Sequence, residues 1–152
     1  HPKPEKQPFT IRGTLTPCEE EECQSIAAMV EDIELREGAN ARNFFKEVGT
    51  TSGYGDITAE YAFDMTYVTI EGFEEPVPVM GFGRVIMTAV ETGNTIYWEQ
   101  ETQFTAQGPR FTATMLRGTG ALEGLWGRVT GAAAIEETGF SYTAEGWWWP
   151  GK

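Results

Sequence analysis

Histidine is almost absent from this 152-residue chain, the only one being His1. Without an internal imidazole, hydrolytic triads and histidine-based metal centres are excluded. Other catalytic signatures are missing as well: there is no G-x-S-x-G, no H-E-x-x-H and no phosphate-binding loop. Gly81-Phe82-Gly83 lacks the third glycine and the following helix of a dinucleotide fingerprint. No cofactor is therefore expected. No apolar run approaches the roughly 20 residues that span a bilayer, which argues against membrane insertion. Basic residues are scarce, 11 against 23 acidic for a net charge of −12, and such a field repels phosphate backbones. Nucleic acid is not an expected partner, although the same carboxylates also serve solubility.

Cysteine is limited to Cys18 and Cys23, too few to bind a metal or build a disulfide framework. Their spacing fits either a short disulfide loop or two inert thiols. The chain begins at His1, so either a leader has been removed or the chain was trimmed; the first alternative places it in a secreted or periplasmic setting. Residues 1–8 carry Pro2, Pro4 and Pro8 and read as an extended arm, leaving 9–152 as one domain.

Aromatic residues and glycines are plentiful: 9 Phe, 5 Tyr and 5 Trp, with 18 Gly spread along the chain, suit many short strands and tight turns. Alternation with period two dominates. Phe9 to Thr16, Gly53 to Ile70, Val79 to Glu91, Ile96 to Thr105 and Phe111 to Arg117 read as strands, followed by strands within Ala121–Gly131, Ala132–Ile135 and Phe140–Glu145. Cys18 to Glu37 fits helix or strand. The expectation is an all-β fold, a single closed antiparallel barrel of about eight strands.

Pointing the more apolar face inward fills the lumen with Tyr61, Phe63, Met65 and Tyr67, then Phe82, Arg84 and Ile86, then Trp98, Gln100, Thr102 and Phe104, with Phe111, Met115, Phe140 and Tyr142. Aromatic walls with a few hydrogen-bonding tips suit a small-molecule pocket; an eight-stranded barrel is equally able to fill itself with side chains. Arg84, on an otherwise apolar face, calls for a carboxylate or a carbonyl-bearing ligand. With Tyr61 and Tyr142 it forms the candidate catalytic set, polarising a carbonyl. Phe63, Met65, Tyr67, Phe82, Trp98, Gln100, Phe104 and Met115 are the candidate substrate contacts. Glu99, Glu101, Glu60 and Asp64 fall on the opposite faces and read as solvated. Trp147, Trp148 and Trp149 must point alternately, so at least one ring lies outside the lumen, as a plug, a homodimer contact or a sugar-stacking surface.

Two glycine-bearing stretches, Val48-Gly49-Thr50-Thr51-Ser52-Gly53 and Gly118-Thr119-Gly120-Ala121-Leu122-Glu123-Gly124-Leu125-Trp126-Gly127, resemble the allene oxide cyclase barrel superfamily in their order and separation over about residues 38–146. That group includes allene oxide cyclases, dirigent proteins and spirotetronate-forming cyclases. The resemblance implies an eight-stranded antiparallel barrel, calycin-like in shape, whose apolar lumen folds a reactive intermediate into one product. The Cys18–Cys23 loop and the Trp147–Trp149 ending depart from the group. The function expected is a cofactor-free cyclase or isomerase acting on a hydrophobic polyketide- or fatty-acid-like molecule. The alternatives are a non-catalytic carrier of an apolar ligand and a structural barrel with a filled core.

Overall fold

A computed structural model describes residues 5–151. The strands are β1 (Gln7–Pro17), β2 (Ala41–Thr51), β3 (Gly55–Val68), β4 (Val77–Ala89), β5 (Thr95–Thr105), β6 (Gly108–Gly118), β7 (Trp126–Ile135) and β8 (Phe140–Trp149). Each pairs antiparallel with the next, and β8 returns to β1, closing an eight-stranded barrel. The expected fold class is the one found. Of the expected arm, residues 1–4 lie outside the described residues, while Gln7 and Pro8 already belong to β1, opposite Trp148 and Trp147. No helix among the described residues is long and apolar enough to cross a membrane.

The segment between β1 and β2 resolves the helix-or-strand ambiguity as a short helix, α1 (Gln24–Val30), which lies against the outside of β3 and β4. Its buried face, Ile26 and Val30, packs on Ala62 with Phe44 and Ile86 at the edge. Glu60 accepts from the Ile26 amide at 3.0 Å, taking up a donor that the helix's own first turn leaves open. Cys18 and Cys23 form a disulfide just ahead of the helix.

This outer layer reverses the faces that alternation predicts for β4. Arg84, Phe82 and Ile86 point out of the barrel, and Gly81, Gly83, Val85, Met87 and Ala89 point in. The inward glycines make room for neighbours: a Cβ on Gly83 would stand 2.8 Å from the Phe63 ring, and one on Gly81 2.7 Å from the Met65 sulfur. A Gly83→Val variant is expected to lose about 1–3 kcal/mol by overpacking, measurable by urea unfolding; unchanged stability would mean that Phe63 has somewhere else to go.

Asp64 is likewise not solvated. Its fully buried carboxylate accepts from Arg42 at 2.7 and 3.2 Å, from Arg84 at 3.3 Å and from the Arg36 amide at 3.1 Å. Burial pushes the Asp64 pKa up, but Arg42, the Arg36 amide and Arg84 outweigh it and hold the group below the usual aspartate range. Arg42 also donates to the Val30 and Ile33 carbonyls at 2.9 Å, so this cluster fastens the α1 segment to the barrel wall.

The lumen divides in two. At the end carrying the β2–β3, β4–β5 and β6–β7 connections it is filled by the rings of Phe9, Tyr54, Trp98 and Trp148, with centroids 5.3–6.2 Å apart. Leu122 and Leu125, between β6 and β7, are buried in the same core. Of the tryptophan run, only Trp148 enters. Trp147 and Trp149 stay outside with Trp126, their ring centroids 4.7–5.2 Å apart, and Lys6 lies 4.5 Å above Trp147.

Candidate functional site

The other half of the lumen is open. A pocket of about 100 Å³ enters from the end carrying the β3–β4, β5–β6 and β7–β8 connections. Phe45, Phe63, Phe104, Phe111 and Phe140 are five of the sixteen residues that line it. Inward alternation on β3 and β5 supplies Tyr61, Phe63, Met65, Tyr67, Gln100, Thr102 and Phe104, while Tyr142 comes from β8. Two polar pairs sit in the wall: Asn43 donates to the Tyr67 hydroxyl oxygen at 2.7 Å, and Gln100 to the Thr102 hydroxyl at 3.2 Å.

Of the expected site residues, Tyr61, Phe63, Met65, Tyr67, Gln100, Phe104 and Tyr142 therefore meet around one pocket. Trp98 and Met115 also point inward but belong to the filled half: Trp98 packs on Phe9, and the Met115 sulfur lies near the Tyr54 hydroxyl. Arg84 and Phe82 are outside, where Arg84 serves Asp64 and the guanidinium of Arg36 lies 3.7 Å from the Phe82 ring centroid. An arginine facing the lumen is thus replaced by an arginine paired on the outer wall. Glu99 and Glu101 lie on the outer face of β5, and Glu99 accepts from Tyr97 at 2.9 Å.

The chemistry of the pocket floor comes from a residue that the sequence pattern did not single out. Glu47 of β2 points inward and is 2% exposed. Tyr61 donates to its carboxylate at 2.6 Å and Tyr142 donates to the other oxygen. Gly13, beside it on β1, is what admits the side chain, since a Cβ there would collide with the Glu47 carboxylate. Burial pushes the Glu47 pKa up to about 7, against the pull of the two tyrosine hydroxyls. Tyr61 and Tyr142 are driven well above the usual tyrosine range, first by burial and then by the charge of Glu47. Near neutral pH the floor thus holds one exchangeable proton on Glu47, with both tyrosine oxygens between the carboxyl and the pocket.

This arrangement has two states. With Glu47 ionised, both tyrosine protons are committed to the carboxylate, so the tyrosine oxygens offer only lone pairs to the pocket. With Glu47 protonated, its own proton goes to one tyrosine oxygen and a hydroxyl becomes free to donate. Among the described residues no group of three or more His, Cys, Asp or Glu side chains is placed to hold a metal ion.

Fold and floor together define a closed up-and-down barrel that is plugged at one end, with an aromatic pocket over a buried carboxyl at the other. Comparison with protein-family models, curated proteins and solved structures finds no match to this chain.

Proposed function

We propose that the barrel binds a small, mainly hydrophobic molecule in the open half of its lumen and orients it on Tyr61 and Tyr142 above Glu47. The observation that carries this reading is the pocket itself: an opening of about 100 Å³, rich in aromatic rings and lined by Tyr61 and Tyr142, whose hydroxyls hold the buried Glu47 carboxyl behind them. A dry apolar cavity of roughly 150 Å³ takes a benzene ring, so about 100 Å³ open at one end suits a short chain or a ring seated part-way into the mouth. Enclosing a whole polyketide or fatty-acid chain calls for roughly 300–1,000 Å³, which favours small-ligand binding over the folding of a long intermediate.

A second reading is favoured by the Glu47 pKa of about 7, the range in which a carboxyl both gives and takes protons at neutral pH. In it the barrel is a cofactor-free isomerase or cyclase. Glu47 holds the proton and the tyrosine hydroxyls pass it to the ligand or steady a developing enolate, in keeping with the resemblance to allene oxide cyclase-like barrels.

The test is native mass spectrometry of protein purified from its own host, set beside an Ala133→Phe variant, because Ala133 lines the pocket and a ring there fills it. Wild type is expected to carry a small molecule and the variant none. Equal occupancy of the two, or a wild type that is empty and takes up no small aromatic compound, refutes the binding reading. If the molecule is a substrate, Glu47→Gln stops its conversion even at concentrations that saturate the variant's pocket.

A further inference from the structure

The charge around the pocket is one-sided. Among the residues lining it there is no lysine or arginine, so an acidic ligand finds no cation there to replace its lost hydration. The one charged group at the floor is Glu47, and when it is ionised the Tyr61 and Tyr142 oxygens can only accept hydrogen bonds. Such a floor answers an N–H or ammonium donor and repels a carboxylate. The walls point the same way, because the faces of phenylalanine and tyrosine rings attract a cation.

The entrance repeats the pattern. The connections at the open end, 18–40, 69–76, 106–107 and 136–139, contain 13 of the 23 acidic residues and one basic residue, Arg36, which is already stacked on Phe82. The loop 69–76 alone carries Glu71, Glu74 and Glu75, and Glu136 and Glu137 form the turn opposite. The connections at the plugged end, 52–54, 90–94 and 119–125, contribute only Glu91 and Glu123. Five of these acidic residues stand on the short loops at the pocket's end and eight on the 18–40 segment along the outer wall, and a field of that sign gathers cations and holds off anions.

We infer that the molecule taken by this pocket is a small organic cation, an amine with an aromatic or short apolar body, rather than a fatty acid or other carboxylate. The inference rests on the binding reading above and narrows its ligand. The apolar body lies among Phe45, Phe63 and Phe140, and the ammonium reaches the tyrosine oxygens, with Glu47 behind them supplying the compensating charge.

The experiment uses three probes of one shape: benzylamine, benzyl alcohol and benzoate, titrated into the full chain at pH 8 by calorimetry. The aromatic NMR signals of the pocket phenylalanines show where each probe binds. Benzylamine is expected to bind at least tenfold more tightly than benzyl alcohol, with benzoate weakest. In Glu47→Gln the ratio of amine to alcohol affinity is expected to fall towards one. Changing Glu71, Glu74 and Glu75 together to glutamine is expected to slow association of the amine severalfold. If benzyl alcohol or benzoate binds as well as benzylamine, or if Glu47→Gln leaves the ratio unaltered, the cation assignment is overturned while the pocket stands. If none of the three probes perturbs the pocket signals, the binding reading falls as well.

Discussion

Between pH 4.5 and pH 8 the wild-type barrel is expected to lose about 3 kcal/mol of stability that a Glu47→Gln variant keeps. The sign follows from the direction of the shift. The folded state holds the Glu47 proton up to about pH 7, whereas the unfolded chain releases it near the ordinary value of 4.5. The folded form therefore binds more protons across that interval, and stability falls as pH rises through it, reaching its floor once Glu47 is ionised in both states. Glutamine preserves the shape and can accept from one tyrosine while donating to the other, so it should keep the geometry without the titration. The readout is the difference between the two proteins in urea unfolding at each pH, because the other acidic groups contribute the same slope to both. Parallel curves would mean that Glu47 is not enclosed as the structure has it.

The second large effect is expected on the outer wall. Asp64→Ala removes the carboxylate shared by Arg42 and Arg84 and the acceptor of the Arg36 amide. Breaking a buried pair by deleting one partner costs about 3–5 kcal/mol, since the surviving charges stay buried and uncompensated. In a domain of this size that corresponds to a melting temperature lower by roughly 6–20 °C. Hydrogen exchange adds a second signature: amides of the α1 segment should lose protection before those of the barrel strands. The pH window also differs from that of Glu47. With its pKa held below the usual value, Asp64 contributes stability that is present above the ordinary aspartate range and is lost as acid protonates it. A loss of less than 1 kcal/mol in Asp64→Ala, or unaltered protection of α1, would show that the helix is held by its apolar face alone.

Much of the barrel is legible from alternation, and the exceptions share a physical cause. On β5, Trp98, Gln100, Thr102 and Phe104 face inward and Glu99 and Glu101 outward, as period two dictates, because that strand has water on one side. On β4 the rule that the bulkier face points inward fails. The α1 segment covers the outside, so Ile86 finds an apolar setting there and Phe82 lies under the guanidinium groups of Arg36 and Arg84, while the lumen accepts glycines because Phe63 and Met65 from β3 occupy their space. Strand β2 is silent in the alternation for the opposite reason. Its inward positions Asn43, Phe45, Glu47, Gly49 and Thr51 are mostly polar or small, so no apolar stripe marks it.

Glu47 is hidden in the sequence, since a glutamate one residue from Lys46 reads as an ordinary solvated pair. A faint signal does exist. Gly13 and Gly49 are register partners on β1 and β2, and Glu47 stands two residues before Gly49. A glycine pair beside a carboxylate on adjacent strands is what a buried acid requires, but the pairing of β1 with β2 is visible only once the chain has folded. Tyr61 and Tyr142 stand out in the sequence by their hydroxyls on inward faces, and the closed sheet brings these two residues, 81 apart in the chain, to the same carboxyl.

The barrel closes where its two ends meet: β8 lies against β1 along Gln7–Leu15, while the exterior rings of Trp126, Trp147 and Trp149 sit across the neighbouring pairing of β7 with β8. Pairing the first strand with the last closes the longest loop in the molecule, the step with the greatest entropic cost and so a natural late event in folding. Rings whose centroids lie about 5 Å apart couple their electronic transitions, so Trp126, Trp147 and Trp149 should give a near-ultraviolet circular dichroism couplet that Trp98 and Trp148 do not share. The chain thus carries a built-in optical report on when its last hairpin, β7 with β8, has paired, readable in stopped flow without a label.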